Sequence, residues 1–285
     1  MSFAPDPVAL APILVPPNVA VLVRDVVHER TGVFFENDRT PSMLDKLEPL
    51  ARAHQCRSFL EYYYILKYDE KGTEEWRRVM DAFSVQETYF WREADQIRAL
   101  VDVIVPQWMK SKSKPLRIWS AACASGEEPY SIAMALEEAG FGNQPIEIVA
   151  SDASEMALTR ARAATYRERS FRAIAPQLRA KYFKTADAGS VLDERIKSKV
   201  SFEWANLVNL EGFAQVQNVD VIFCRNVFIY FSMASIKQVV ASFARRLPPA
   251  GHLFVGSSES LLKVTNEFDL QNLGDAFVYI RNADR

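Results

Sequence analysis

The sequence has little of what would make a disulfide-bonded, membrane-spanning or polycationic protein. Of its 285 residues only Cys56, Cys123 and Cys224 are cysteines. They are too few and too scattered for a disulfide framework, and a reducing cytoplasm is the natural compartment. No apolar run approaches the roughly 18 residues of a transmembrane helix, so membrane insertion is not expected. Neither charge dominates: Lys plus Arg number 34, Asp plus Glu number 36, and the net charge is −2. That excludes a bulk polycation built to coat nucleic acid, and no nucleic-acid partner is expected. Histidine is as scarce as cysteine. His28, His54 and His252 fall in no Ser/His/Asp, Cys/His or metal-ligand spacing, so neither a nucleophilic triad nor a metal site is expected. The first twenty residues have no basic n-region and carry Pro5, Pro7, Pro12, Pro16 and Pro17. They do not read as a signal peptide, and residues 1–18 are expected to form a flexible N-terminal segment.

At about 150 residues per domain, the length suggests two domains. From Val19 to Trp91 apolar residues recur at helical spacing: Val19, Leu22, Val23, Val26, Val27, then Met43, Leu44, Leu47, Leu50, then Phe59, Leu60, Tyr63, Leu66. Breakers fall between the groups at Thr31-Gly32, Asn37-Asp38, Pro41 and Lys71-Gly72. An all-helical N-terminal domain over residues 19–92 is expected. After Glu93 the grammar changes. A long helix over 94–110 precedes strands over 116–119, 146–150, 219–224, 253–255 and 277–280, alternating with helices over 129–139, 154–163 and 232–247. Such alternation implies βαβ units, and the fold class is α/β with a doubly wound, mostly parallel sheet over residues 93–285. The segment 160–199 breaks the alternation and carries a net charge of +7. A helix over 176–183 and a strand over 200–204 flank a Gly/Ala/Asp turn. An inserted basic subdomain over about 166–205 is expected, its charge serving either as a solvated surface or as a docking face for an acidic partner.

Four stretches carry chemistry. In Ile118-Trp119-Ser120-Ala121-Ala122-Cys123-Ala124-Ser125-Gly126-Glu127-Glu128-Pro129-Tyr130-Ser131 a buried strand runs through small residues into a helix. That is the first βα turn of a doubly wound sheet, the usual nucleotide site. Only Gly126 is a glycine, so the G-x-G-x-x-G pattern is missing, and so is the P-loop lysine. Glu127 and Glu128 would repel a pyrophosphate and suit a cation; S-adenosylmethionine, with a sulfonium, an ammonium and no phosphate, fits. The competing reading is a tight turn whose two glutamates answer the helix dipole. The second strand ends in Asp152, placed for ribose hydroxyls or as an N-cap, a role Ser154 can take instead. An apolar strand stops at Arg225-Asn226 before apolar residues resume with Tyr230 embedded. At the domain junction lies Glu87-Thr88-Tyr89-Phe90-Trp91-Arg92-Glu93. Junctions form clefts, and on a helical turn Thr88 and Arg92 would share a face.

Together these stretches resemble the chemotaxis receptor methyltransferase family (CheR-type) over about residues 19–282. Trp119 to Ala122 with Gly126 to Ser131, Phe223 to Val227 with Ile229 to Phe231, Gly256 with Ser258 to Ser260, and Thr88 with Phe90 to Glu93 match its motifs. The resemblance implies a Rossmann-like class I methyltransferase sheet behind an all-helical domain, with a small inserted antiparallel β-subdomain. It implies S-adenosylmethionine as cofactor, held by Gln86, Thr88, Arg92, Glu128, Asp152, Asn206, Leu207, Arg225 and Asn226, with Arg92 and Tyr230 nearest the transferred methyl. It implies methylation of glutamate carboxylates on the cytoplasmic helical bundle of bacterial chemoreceptors. The alternatives are the same chemistry on another protein or a small carboxylate, or a non-catalytic S-adenosylmethionine-binding regulator. Four departures from the family pattern stand out. Gln86 replaces Asn, Ala153-Ser154 replaces Ile-Asp, Ser257 replaces His, and residues 19–80 are not basic.

Overall fold

The computed structural model describes residues 12–68, 72–111, 114–210 and 213–282. Residues 1–11 of the expected flexible segment lie outside the described residues. The chain divides into two compact units, Met1–Arg30 with Phe34–Phe83, and Thr31–Val33 with Ser84–Arg285.

The helical unit is built on α1 (Val19–Thr31), α2 (Thr40–Ala53), α3 (Phe59–Tyr68) and α4 (Gly72–Phe83). Their apolar stripes meet in a core of Val23, Val27, Met43, Leu47, Tyr62, Leu66 and Val79. Ile13 is buried in this core, and Leu14 is tied down by backbone hydrogen bonds to Arg57 and Phe59 (3.1 and 2.9 Å). One carboxylate, Glu75, lies inside. It accepts from the Tyr62 hydroxyl at 2.6 Å, and His54 Nε2 lies 2.9 Å from its other oxygen.

The larger unit opens with a helix that runs through α5 (Ala94–Ala99), a π-helical segment over Leu100–Ile104, and α6 (Val105–Ser111). Pro106 has no N–H to give its preceding turn, and a π segment absorbs that loss without breaking the rod. Then come β1 (Leu116–Ala121), α7 (Glu127–Glu138), β2 (Ile146–Asp152), α8 (Glu155–Ala163), β3 (Thr165–Tyr166), α9 (Pro176–Tyr182), β4 (Phe183–Ala186), β5 (Gly189–Leu192), α10 (Glu194–Lys197), β6 (Val200–Trp204), β7 (Val221–Cys224), α11 (Met233–Arg246), β8 (His252–Val255), β9 (Phe268–Leu273) and β10 (Ala276–Arg281). Seven strands form one sheet in the order β6-β2-β1-β7-β8-β10-β9. The first five run parallel, and β10 and β9 add antiparallel.

Successive residues of the central strands feed two cores. Ile118, Val221, Phe223 and Phe254 pack on one face with Leu100, Ile104 and Ile132. Trp119, Ile222, Cys224 and Leu253 pack on the other with Val239, Val240 and Phe243. Helices therefore cover both faces, as the continuously apolar strands require.

Two expectations change. Residues 200–204, counted with the inserted segment, are the edge strand β6 of the main sheet, so the inserted antiparallel sheet (order β3-β5-β4) ends before it. The Gly/Ala/Asp stretch is the turn of the β4–β5 hairpin. The basic excess of 160–199 is also largely matched locally. Arg172, Arg162, Lys181 and Lys199 pair with Glu87, Glu155, Glu138 and Glu137, all outside the segment.

Candidate functional site

Strand order reverses between β1 and β7, and a crevice forms beyond the carboxyl ends at such a switch point. The loop after β1 is held in an unusual backbone. Ala122 and Ala124 take left-handed φ values of 58° and 48°, and Gly126 follows at 89°. A Cβ at Gly126 would meet Ala161 Cβ at 3.0 Å, so only glycine fits. Asp152, at the tip of β2, fixes this loop: one carboxylate oxygen accepts from the Ala124 N–H and the other from the Ser154 N–H, both at 2.8 Å. Ser154 caps α8 by accepting from the Ala157 N–H at 3.0 Å. Next to Asp152, the Ala205 N–H donates to the Asp152 carbonyl (3.1 Å), which sets Asn206 and Leu207 just beyond β6.

The tip of β7 carries a deeply buried ion pair. The Arg225 side chain is 3% exposed and its Nε donates to Glu128 at 2.5 Å. The other Glu128 oxygen accepts from the Ser120 hydroxyl at 2.6 Å. Arg225 also donates to the Arg92 carbonyl at 2.8 Å. Thus Arg92, Glu128, Arg225 and Asn226 come together, and Asp152, Asn206 and Leu207 line the adjoining strand ends.

Residues 84–89 are an irregular strap and 90–93 a turn, with left-handed φ at Trp91 (61°) and Glu93 (50°). The shared helical face expected for Thr88 and Arg92 does not exist, because the pair straddles this turn. Thr88 is half-buried on the strap. Arg92 donates to the Glu87 carbonyl at 2.8 Å. The Gln86 side-chain oxygen accepts from Arg160. Tyr230 ends a short turn, Phe228–Tyr230, and is 36% exposed. Burial pushes its phenol pKa up, Glu87 adds to the rise and Arg92 opposes it, so Tyr230, Glu87 and Arg92 share one electrostatic neighbourhood. Burial likewise holds the Cys123 and Cys224 thiols well above their ordinary range, which keeps them unreactive.

Three acidic residues do more here than their motifs indicate. Glu259 accepts from the backbone N–H groups of Asn226 (2.8 Å), Gly256 (2.6 Å) and Phe228 (2.7 Å), and so shapes the loops after β7 and β8. A Cβ at Gly256 would lie 2.5 Å from the Asn226 side-chain nitrogen. Glu93 accepts from Asn226 Nδ2 and from both the N–H and hydroxyl of Ser257, each at 3.3 Å. The third, Glu127, is buried one residue before Glu128. No spacing rule announces Glu259 or Glu93; their partners are backbone groups and residues far along the chain.

The donor set decides what the crevice can hold. Glu93, Glu128 and Asp152 stand against the guanidinium of Arg225, which Glu128 already neutralises, and that of Arg92, which donates to the Glu87 carbonyl. The buried Oε2 of Glu93 has no hydrogen-bond partner among the described residues, and Arg225 comes no nearer than 3.9 Å. A spare buried acceptor in an acidic crevice suits a cationic ligand with N–H or O–H donors and rejects a phosphate. S-adenosylmethionine fits this set. Among the described residues no three His, Cys, Asp or Glu side chains gather as metal ligands, and no helix is long and apolar enough to cross a membrane.

Comparison with known proteins gives the same ligand. Residues 86–276 match the family described as CheR methyltransferase, SAM binding domain, and residues 21–84 its all-alpha domain. The chain is 35% identical over 262 residues to chemotaxis protein methyltransferase 2 of Vibrio cholerae, covering 90% of this chain and 91% of that one. It is 30% identical over 266 residues to chemotaxis protein methyltransferase 1 of Pseudomonas aeruginosa, covering 90% and 96%.

Proposed function

The chain belongs to the CheR methyltransferase family and takes S-adenosylmethionine as its cofactor; from that premise we propose that it methylates glutamate side chains of bacterial chemoreceptors. The supporting observation is the acidic crevice at the switch point, with a Glu93 oxygen that has no hydrogen bond among the described residues and with Arg92 tied to Arg225 through its carbonyl.

When bound, S-adenosylmethionine supplies a sulfonium methyl open to attack by a carboxylate. A receptor glutamate, with an ordinary pKa near ~4.3, is ionised at neutral pH, so the chain needs no general base. Its contribution is alignment, which can supply roughly 7–11 kcal/mol. Asp152, Asn206 and Leu207 hold the nucleoside end, with Gln86, Thr88, Glu128, Arg225 and Asn226 around the amino-acid end. Arg92 orients one oxygen of the incoming carboxylate. A two-pronged grip would stabilise the ground state and blunt the nucleophile. Tyr230 keeps its hydroxyl proton and uses it in a hydrogen bond that helps place the substrate or the methyl donor. The place of action is the cytoplasm, at the receptor's helical bundle in the membrane array.

The test is transfer of labelled methyl from S-adenosylmethionine to receptor-containing membranes. We expect label on the receptor, released as methanol by mild alkali as a carboxyl ester must be. Label on another protein or on a small carboxylate, or cofactor binding without transfer, overturns this assignment.

A further inference from the structure

The strap that carries Arg92 is gripped by a turn of the inserted segment, Glu168–Phe171. The Phe90 N–H donates to the Ser170 carbonyl at 2.9 Å. The Phe90 ring stacks on Phe171 with centroids 5.5 Å apart. The Arg172 guanidinium lies 3.8 Å from the Tyr89 ring centroid and 3.5 Å from the Glu87 carboxylate.

What fixes this turn to the sheet is Glu127, which is 2% exposed. One carboxylate oxygen accepts from the Ser170 hydroxyl at 2.9 Å and the other from the Ser125 hydroxyl at 2.7 Å. Its backbone carbonyl accepts from the Ser131 hydroxyl at 2.6 Å, which in turn accepts from the Trp91 N–H at 3.1 Å. Glu127 therefore reaches Phe90 through Ser170, Trp91 through Ser131, and the loop after β1 through Ser125.

We propose that Glu127 is a positioning residue for methyl transfer: by joining Ser170 to Ser125 it sets the strap, and hence Arg92, against the cofactor crevice. This rests on the methyltransferase reading above. Two hydroxyls converge on one carboxylate from opposite sides, a directional arrangement that an apolar side chain of equal volume cannot reproduce. Burial pushes the Glu127 pKa up, and its hydroxyl partners pull it part of the way back. A misplacement of about 1 Å at a reacting centre costs on the order of a hundredfold in rate.

The test uses the full chain with S-adenosylmethionine and receptor membranes. Glu127→Ala should lower kcat about a hundredfold, a larger effect than its weakening of S-adenosylhomocysteine binding by calorimetry, because Glu128, Asp152 and Asn206 keep their contacts while Thr88 and Arg92 shift with the strap. Glu127→Gln, which retains one accepting oxygen, should recover most of the rate. Ser170→Ala should resemble Glu127→Ala, and the double variant should be no slower than either single, since both break one link. Hydrogen exchange of residues 86–93 should quicken in each alanine variant. Wild-type kcat in both alanine variants, additive losses in the double variant, or unchanged exchange of the strap overturns the proposal. Should Glu127→Ala fail to fold, Ser170→Ala and Glu127→Gln decide the matter. A wild-type chain that neither binds S-adenosylhomocysteine nor transfers methyl overturns the methyltransferase reading instead, and strap exchange in Ser170→Ala still tests the link.

Discussion

The helical unit and the carboxyl edge of the parallel sheet both bury carboxylates and treat them differently. In the helical unit Glu75 is surrounded by partners: Tyr62, His54 and, at 3.5 Å, Arg78. Its left-handed residues, Asn18 and Gln55, sit at helix boundaries, where such geometry is routine. At the sheet edge Glu93 keeps one buried oxygen without a hydrogen bond among the described residues, Arg225 lying 3.9 Å away, and Trp91, Glu93, Ala122, Ala124 and Asn226 adopt left-handed backbones. Each costs about 1–2 kcal/mol. A region made only to fold satisfies its polar groups and relaxes its backbone. A region made to hold something leaves acceptors open and holds strain.

That contrast can be broken at either end. Arg225→Ala should have the largest effect on stability, about 3–5 kcal/mol by thermal or urea unfolding, since it strands the Glu128 carboxylate; a loss under about 1 kcal/mol would mean the pair is solvated. Glu75→Ala should cost about 1–3 kcal/mol by leaving the Tyr62 hydroxyl unpaired, with no change in S-adenosylhomocysteine affinity. A weakened affinity would erase the distinction between the two regions. Glu93→Gln should do the reverse. Stability should move by about 1 kcal/mol or less, because Oε2 has no bond to lose, while ligand affinity falls about tenfold, the worth of roughly 1.4 kcal/mol. The smallest effect is one of pH. Because the Tyr230 pKa is raised from its ordinary value near ~10, its hydroxyl stays protonated at neutral and mildly alkaline pH. Methyl transfer should be flat there, falling only in acid as the receiving carboxylate takes up a proton near ~4.3. A drop beginning near pH ~8 would contradict the assignment of Tyr230 as a donor.

Much of this was legible in the sequence. The central strands declared themselves because both faces are buried and their runs are mostly apolar, and Asp152 and Arg225-Asn226 were visible as polar stops at their tips. The strand β9 was not, since only Phe268 of it is buried and its outer positions are exposed; an edge strand has little apolar signal. The hairpin β4–β5 was masked by charged and small residues. The strap failed for another reason. Helical spacing assumes helical dihedrals, and left-handed backbones at Trp91 and Glu93 remove that assumption without any glycine to announce it. Glu259 reaches the amides of Asn226 and Phe228, and Glu127 the hydroxyl of Ser170, contacts across the chain that only the fold creates.

In the proposed site the ligand lies across the strand tips with Asp152 at its nucleoside. Calorimetric titration of the full chain with S-adenosylhomocysteine, for the native sequence and for Asp152→Ala, tests it most directly. A single site is expected, indifferent to added ATP and weakened at least tenfold, about 1.4 kcal/mol, by the substitution. A site that ATP competes for, or one whose affinity Asp152→Ala leaves unchanged, would contradict it.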